Sequence, residues 1–190
     1  MKMIKFGITG SIASGKTTAS RILSRRYGPL FSADKAVKEL YQSKKFKLLI
    51  SKKFNLKNDN QLKNSVKKLV IKKKTNLKKL EKIIHPLVRK KMRAFTLKNK
   101  SRGKLFYEIP LLIESKLTKL FNIIIFIKSK KQTRMRRFKK KNGNKRLFNF
   151  LNNQQMSDKK KIKFCDHIIV NDSNLNILKR NLFNIIKKYE

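Results

Sequence analysis

At 190 residues the chain has room for one domain with a sizeable core and small insertions. Its 52 Lys and Arg against 10 Asp and Glu give a formal net charge of +42, while its longest apolar runs are only strand-length, which excludes a membrane-spanning helix. A lone cysteine, Cys165, excludes an internal disulfide or a cysteine zinc cluster, and one Lys followed at once by a strand is no signal peptide; a monomer of the reducing cytoplasm is the expectation.

The first element is an apolar run, Met3–Ile8, that reads as a buried parallel strand. Gly10-Ser11-Ile12-Ala13-Ser14-Gly15-Lys16-Thr17 follows and fits G-x-x-x-x-G-K-[ST] at every fixed position. Glycines at its two ends let successive N–H groups turn inward on phosphate oxygens, and a helix beginning after Thr17 adds the positive end of its dipole. Lys16 is then placed for the β- and γ-phosphates, and the Thr17 hydroxyl for Mg²⁺. The expected ligand is a nucleoside triphosphate.

Tyr27-Gly28-Pro29 makes a turn into a second strand, Leu30 onward, expected to end at Ala33-Asp34. Asp34 can cap the helix that follows. Beside a phosphate loop it can equally serve as the base that phosphoryl transfer to a hydroxyl requires. Residues 44 to about 100 are Lys-rich with helical stripes, first Leu62, Val66, Leu69 and Val70, then Leu77, Leu80, Ile83 and Ile84. His85-Pro86 is expected to break that second run, with a new helix from Leu87; His85 by itself reads as a structural histidine.

A third strand, Leu105–Glu108, ends in an acid at the sheet's carboxyl edge, where phosphate-loop enzymes support Mg²⁺. Ile109–Glu114 is expected to be a loop and helix start, and Asn122–Lys128 a fourth strand. Gln132–Gly143 is a basic helix stopped by Asn-Gly; three of the eleven Arg fall at 134, 136 and 137. It is either a solvated face or a mobile lid closing cations over the phosphates. Lys145–Phe164 has a helical pattern, His167–Asn171 is a fifth strand, and a last helix turns Ile177, Leu178, Leu182, Ile185 and Ile186 inward. The alternation predicts an α/β fold: a five-stranded parallel sheet with helices on both faces, a helical insert and a helical lid.

Together these residues resemble the dephospho-CoA kinase family over nearly the whole chain. Gly7–Thr18 is similar to its G-L-T-G-G-I-G-S-G-K-S-T, Ala33-Asp34 to the end of its D-A-D, and Ile84-His85-Pro86-Leu87 to its H-P-x-[IV]. Glu108–Glu114 is similar to its v-P-L-L-x-E, and Arg134-x-x-Arg137, Gln155-Met156, Lys161, Asp166 and Asn171 keep the spacing of its later signature. The resemblance implies a P-loop kinase that moves the γ-phosphoryl of ATP to the ribose 3′-hydroxyl of dephospho-CoA. It divides the chain into a core (about 1–43, 101–130 and 163–190), a CoA-side insert (about 60–100) and a lid (about 131–162).

On this resemblance Asp34, Lys16 and Arg137 are catalytic, Asp34 taking the hydroxyl proton. Ser11, Ile12, Ala13, Ser14, Gly15, Lys16, Thr17, Thr18 and Asn171 bind ATP. Thr9, Asp34, His85, Glu108 and Glu114 face the acceptor, and Thr17 holds Mg²⁺. Ser32 replaces the first Asp of D-A-D, leaving Asp34 to act alone, and Lys141 and Leu151 stand where the family has Arg. Ser11 and Ala13 replace loop glycines, a change tolerable where φ is negative.

Other kinases of nucleoside monophosphates or small alcohols share the loop but not His-Pro with Pro-Leu-Leu-x-Glu. A nucleic-acid-binding role is the reading from a different class. The excess charge is mostly Lys (41, against 11 Arg), spread end to end, with no Trp for base stacking. Nonspecific polyanion binding at low salt is expected, without a specific nucleic-acid partner.

Overall fold

Five short apolar runs become the five strands of one parallel sheet in the computed structural model, which describes residues 3–190. They are β1 (Ile4–Thr9), β2 (Leu30–Ser32), β3 (Lys104–Glu108), β4 (Ile123–Lys128) and β5 (His167–Val170), in the spatial order β2-β3-β1-β4-β5. The chain divides into two compact units, one running to Ser32 and resuming at Lys98–Glu190, the other Ala33–Leu97. The sheet lies entirely in the first.

Within the sheet unit, β1 is central because its residues can be buried on both sides: Phe6, Gly7, Ile8 and Thr9 are all buried. Phe6 and Ile8 point toward α1 (Lys16–Tyr27) and the C-terminal helix Leu175–Lys187, joining a core with Leu23, Ile125, Ile127, Leu182 and Ile186. Gly7 points the other way, where a Cβ would lie 2.7 Å from Leu112 and 3.0 Å from Phe121. The register pairs Ile8 with Glu108 and with Ile125, and Lys128 with Val170, so the carboxyl ends of the strands form one edge. The chain first lays β1, then β2 and β3 on one side and β4 and β5 on the other. That reversal sets the ligand crevice of open α/β sheets at the end of β1.

The helical unit holds α2 (Ala33–Leu40), α3 (Lys44–Phe54), α4 (Leu62–Lys72) and most of α5 (Lys74–Lys98). Leu40, Phe46, Ile50, Leu62 and Val66 are its buried centre, with Val70, Leu80, Ile83, Ile84, Leu87 and Val88 packed against them. Ser43 caps α3 by accepting from the Phe46 amide, and Asn55, left-handed at φ 50°, ends it. Lys91 and Glu39 form an ion pair at 2.7 Å that lowers the Glu39 pKa through that hydrogen bond; exposed as it is, it contributes at most about 1 kcal/mol.

Four local expectations are corrected. β2 stops at Ser32, so Asp34 sits in the first turn of α2 rather than at a strand end. Pro86 does not break its helix: α5 is continuous from Lys74 to Lys98. Pro86 and Lys82, whose carbonyl loses its partner, both face solvent, and the apolar stripe 80-83-84-87-88 runs through unbroken. Its burial outweighs a proline cost of about 3 kcal/mol. Residues 110–116 form a single non-propagating turn, closed by Ser115 N to Leu111 O (2.9 Å) and ended by Lys116 at φ 54°. The stretch 145–164 is two helices, Lys145–Asn153 and Asp158–Ile162, separated by residues 154–157.

Candidate active site

β1 delivers the chain to the phosphate loop at Gly10, whose φ of 147° is a glycine conformation and whose missing Cβ would stand 2.4 Å from the Ile127 carbonyl. Gly15 closes the loop at φ 101°, and a Cβ there would strike Asn171 Nδ2 at 2.1 Å. Both glycines are therefore required by conformation, and Gly10 also by space, since its obstacle is backbone. Ala13 lies between them at φ 58°, so the condition under which its side chain would be harmless is not met; Ser11 is not among the residues with positive φ. A left-handed alanine costs roughly 1–2 kcal/mol.

Side chains from distant positions hold this loop. Asn171, at the end of β5, donates from Nδ2 to Ser14 O at 2.8 Å. Arg137 Nη1 reaches the same carbonyl at 3.3 Å, and Ser129 Oγ at 3.4 Å. Ile12 N donates to Gln155 Oε1 at 3.0 Å, and the Ser11 hydroxyl donates to Asp158. Lys16, buried, folds back so that Nζ donates to Ser11 O at 2.8 Å. Thr17 is exposed in the first turn of α1, and its hydroxyl donates to Glu108, a carboxylate only 2% exposed at the end of β3.

The basic helix α6 (Lys131–Lys139) is set beside the loop by Asp172. Ser129 Oγ donates to Asp172 Oδ1 at 2.7 Å and Lys130 N to the same oxygen at 3.0 Å. Burial pushes the Asp172 carboxyl up, but hydrogen bonds from Ser129, Lys130 N and Thr133, with the Lys130 charge, outweigh it and hold the pKa below the ordinary value. Arg134 is buried and caged: Nε donates to Ser129 O (3.1 Å), Nη1 to Asn152 Oδ1 (2.8 Å), and the guanidinium sits 5.7 Å over the Phe148 ring. Burial lowers its pKa, opposed by Asp158 and Asp172, yet guanidinium stays charged at any working pH. Arg134 thus roots the helix, and Arg137, one turn on, extends to the loop.

Of the residues singled out from sequence, Ser11, Ile12, Ala13, Ser14, Gly15, Lys16, Thr17, Glu108, Arg137 and Asn171 converge at this edge of the sheet unit. Thr18 is exposed in the first turn of α1, and Thr9 is buried, with its hydroxyl donating to Pro110 O at 3.2 Å. Glu114 contacts Lys161 and Met156 instead of the loop. Asp34 and His85 belong to the helical unit. Asp34 is exposed at the positive end of α2; His85 is half-buried in α5, where burial lowers its pKa, Glu81 raises it and Arg89 lowers it further. Asp166, part of the later signature, accepts from Ile124 N at 2.7 Å and so pins β5 to β4.

The sequence reading missed Ser129, Asn152 and Asp158. Asp158 carried a signal all the same, being one of ten acids and lying within a lysine-rich run.

A family model for dephospho-CoA kinase matches residues 4–176, an interval containing every loop-holding residue just described. The chain belongs to the dephospho-CoA kinase family. It is 36% identical to the dephospho-CoA kinase of Bartonella quintana, across 98% of this chain and 97% of that one. Among solved structures it is similar to TT1252 of Thermus thermophilus, with a TM-score of 0.82 at 24% identity and full coverage of both chains. It is also similar to the dephospho-CoA kinase of Campylobacter jejuni, with a TM-score of 0.63 at 24% identity over 97% and 96% of the two chains. These structures share the P-loop kinase fold that the motif order led one to expect. No helix among the described residues is long and apolar enough to cross a membrane.

Proposed function

We infer that this chain transfers the γ-phosphoryl group of ATP to the ribose 3′-hydroxyl of dephospho-CoA, releasing ADP and coenzyme A, the last step of coenzyme A synthesis. The observation that carries the reading is the family match over residues 4–176 falling on an intact phosphate loop, its two end glycines in the conformations an anion cradle needs.

The reaction joins the 3′-oxygen to the γ-phosphorus, breaks the bond between that phosphorus and the β,γ-bridging oxygen, and removes one proton from the hydroxyl. Loop amides and the α1 N-terminus hold the phosphates. Lys16 and Arg137 offset the charge that spreads over the transferring group. Asp34 takes the proton; with Ser32 in place of a second acid, no neighbouring residue of that motif shares the task. Asn171 bounds the nucleotide side by fixing the Ser14 carbonyl.

Magnesium takes hard oxygen ligands, keeps several waters and needs only one or two carboxylates beside the substrate phosphates. The Thr17 hydroxyl and the Glu108 carboxylate, already in contact, are such a donor set and would hold it. Bound there, the cation would neutralise charge on the β- and γ-phosphates. This reassigns Glu108 from the acceptor to the metal side.

ADP release measured with dephospho-CoA, AMP, CMP and shikimate as competing acceptors tests the reading. Preference for dephospho-CoA, with a product heavier by one phosphoryl group, is the expected result. A preference for any other acceptor would overturn it.

A further inference from the structure

Glu114 lies on the turn after β3, and the resemblance gives it to the acceptor. Its surroundings carry a second reading. Oε1 accepts from the Met156 amide at 3.1 Å and pairs with Lys161 Nζ at 2.8 Å. Lys161 has no exposed surface, so its ammonium relies on this carboxylate for counter-charge. Oε2 is itself buried, without a hydrogen-bond partner. Its charge is matched inside the protein by the Lys161 ammonium.

Both partners of Glu114 lie within a helical turn, along the chain, of residues that touch the phosphate loop. Met156 follows Gln155, whose Oε1 receives the Ile12 amide at 3.0 Å. Lys161 lies in the last turn of the short helix Asp158–Ile162, whose first residue accepts the Ser11 hydroxyl. Ser11 stands where the family pattern has glycine, so this last bond depends on a side chain that the pattern's glycine lacks.

We propose that Glu114 is a positioning residue for the nucleotide half of the reaction: through Met156 and Lys161 it fixes Gln155 and Asp158, which in turn fix Ile12 and Ser11 in the phosphate loop. This rests on the kinase reading above, and two measurements keep the two apart. Wild-type turnover with dephospho-CoA tests the kinase reading alone, while titration with a non-hydrolysable ATP analogue reads the relay without any acceptor.

Glu114→Gln is expected to raise the KM for ATP and weaken analogue binding by about 10-fold or more, in line with the cost of a small misplacement of a binding group. The KM for dephospho-CoA should stay within about twofold, the split expected when only nucleotide binding is disturbed. Adding Lys161→Met removes the stranded ammonium and should return Tm toward wild type while the KM for ATP stays raised, since the contact that carries the relay is still missing. Asp158→Asn and Gln155→Ala cut the relay downstream and should show the same split, weaker, with little change in Tm. They carry the test if Glu114→Gln does not fold. A rise in the KM for dephospho-CoA alone in Glu114→Gln would overturn the proposal. So would unchanged ATP affinity in both downstream variants.

Discussion

The phosphate loop and the helical unit are built on opposite principles. The loop has almost no apolar burial of its own; Asn171, Arg137, Gln155 and Asp158 hold it, all more than a hundred residues away in sequence. The helical unit is the reverse: an apolar stripe from each of several neighbouring helices, with the Lys91–Glu39 ion pair lying exposed at its surface. Directional bonds fix a shape to tenths of an ångström but fail when one partner is lost. Non-directional burial tolerates local faults, and the uninterrupted passage of α5 through Pro86 is an instance.

The sharpest way to break the symmetry of that comparison is at Lys16. Lys16→Ala should lower kcat by about 10³-fold, since it removes a fixed charge from the path of the transferring group; near-normal turnover in a steady-state assay would remove Lys16 from the chemistry. Asp34→Asn comes next, with kcat down by about 10²-fold or more while ATP analogue still binds in a titration. Retained turnover would leave Asp34 only the role of an acid in the first turn of α2, favourable to the helix dipole. In the helical unit, Ile50→Ala should cost about 2–5 kcal/mol in unfolding free energy. Denaturant melts should record that loss, while ATP affinity well below the transition is unchanged. The smallest effect runs the other way. Ala13→Gly should relieve the left-handed strain at φ 58° and raise stability by up to about 1 kcal/mol, a Tm shift of about 2–4 °C for a chain of this size.

The two regions also differed in how far the sequence disclosed them. The loop's identity was legible because its chemistry demands fixed residue types at fixed spacing, and the structure returned both glycines in positive φ. The residues that brace it were much less so. Asn152, Ser129 and Asp158 reach their partners through tertiary geometry, and no local pattern announces that Ser11 will meet an acid 147 residues later. In the helical unit the stripes were plain and their interruption was misjudged. A proline rule written for one helix in isolation ignores how strongly Leu80, Ile83, Ile84, Leu87 and Val88 are drawn to a common core. A loop and helix start is expected over Ile109–Glu114 because Pro near a first turn invites that reading; the left-handed Lys116, which ends the turn there instead, has no sequence mark.

Asn171 has a consequence for the order in which the protein becomes competent. The phosphate loop is made well before Asn171, which follows Ser14 by 157 residues, and the Asn171 bond to the Ser14 carbonyl forms only when β5 has docked beside β4. A chain that ends before that point carries every letter of the loop motif and still lacks one of the two bonds to Ser14, so the last brace of the phosphate loop comes as a by-product of adding β5 to the sheet.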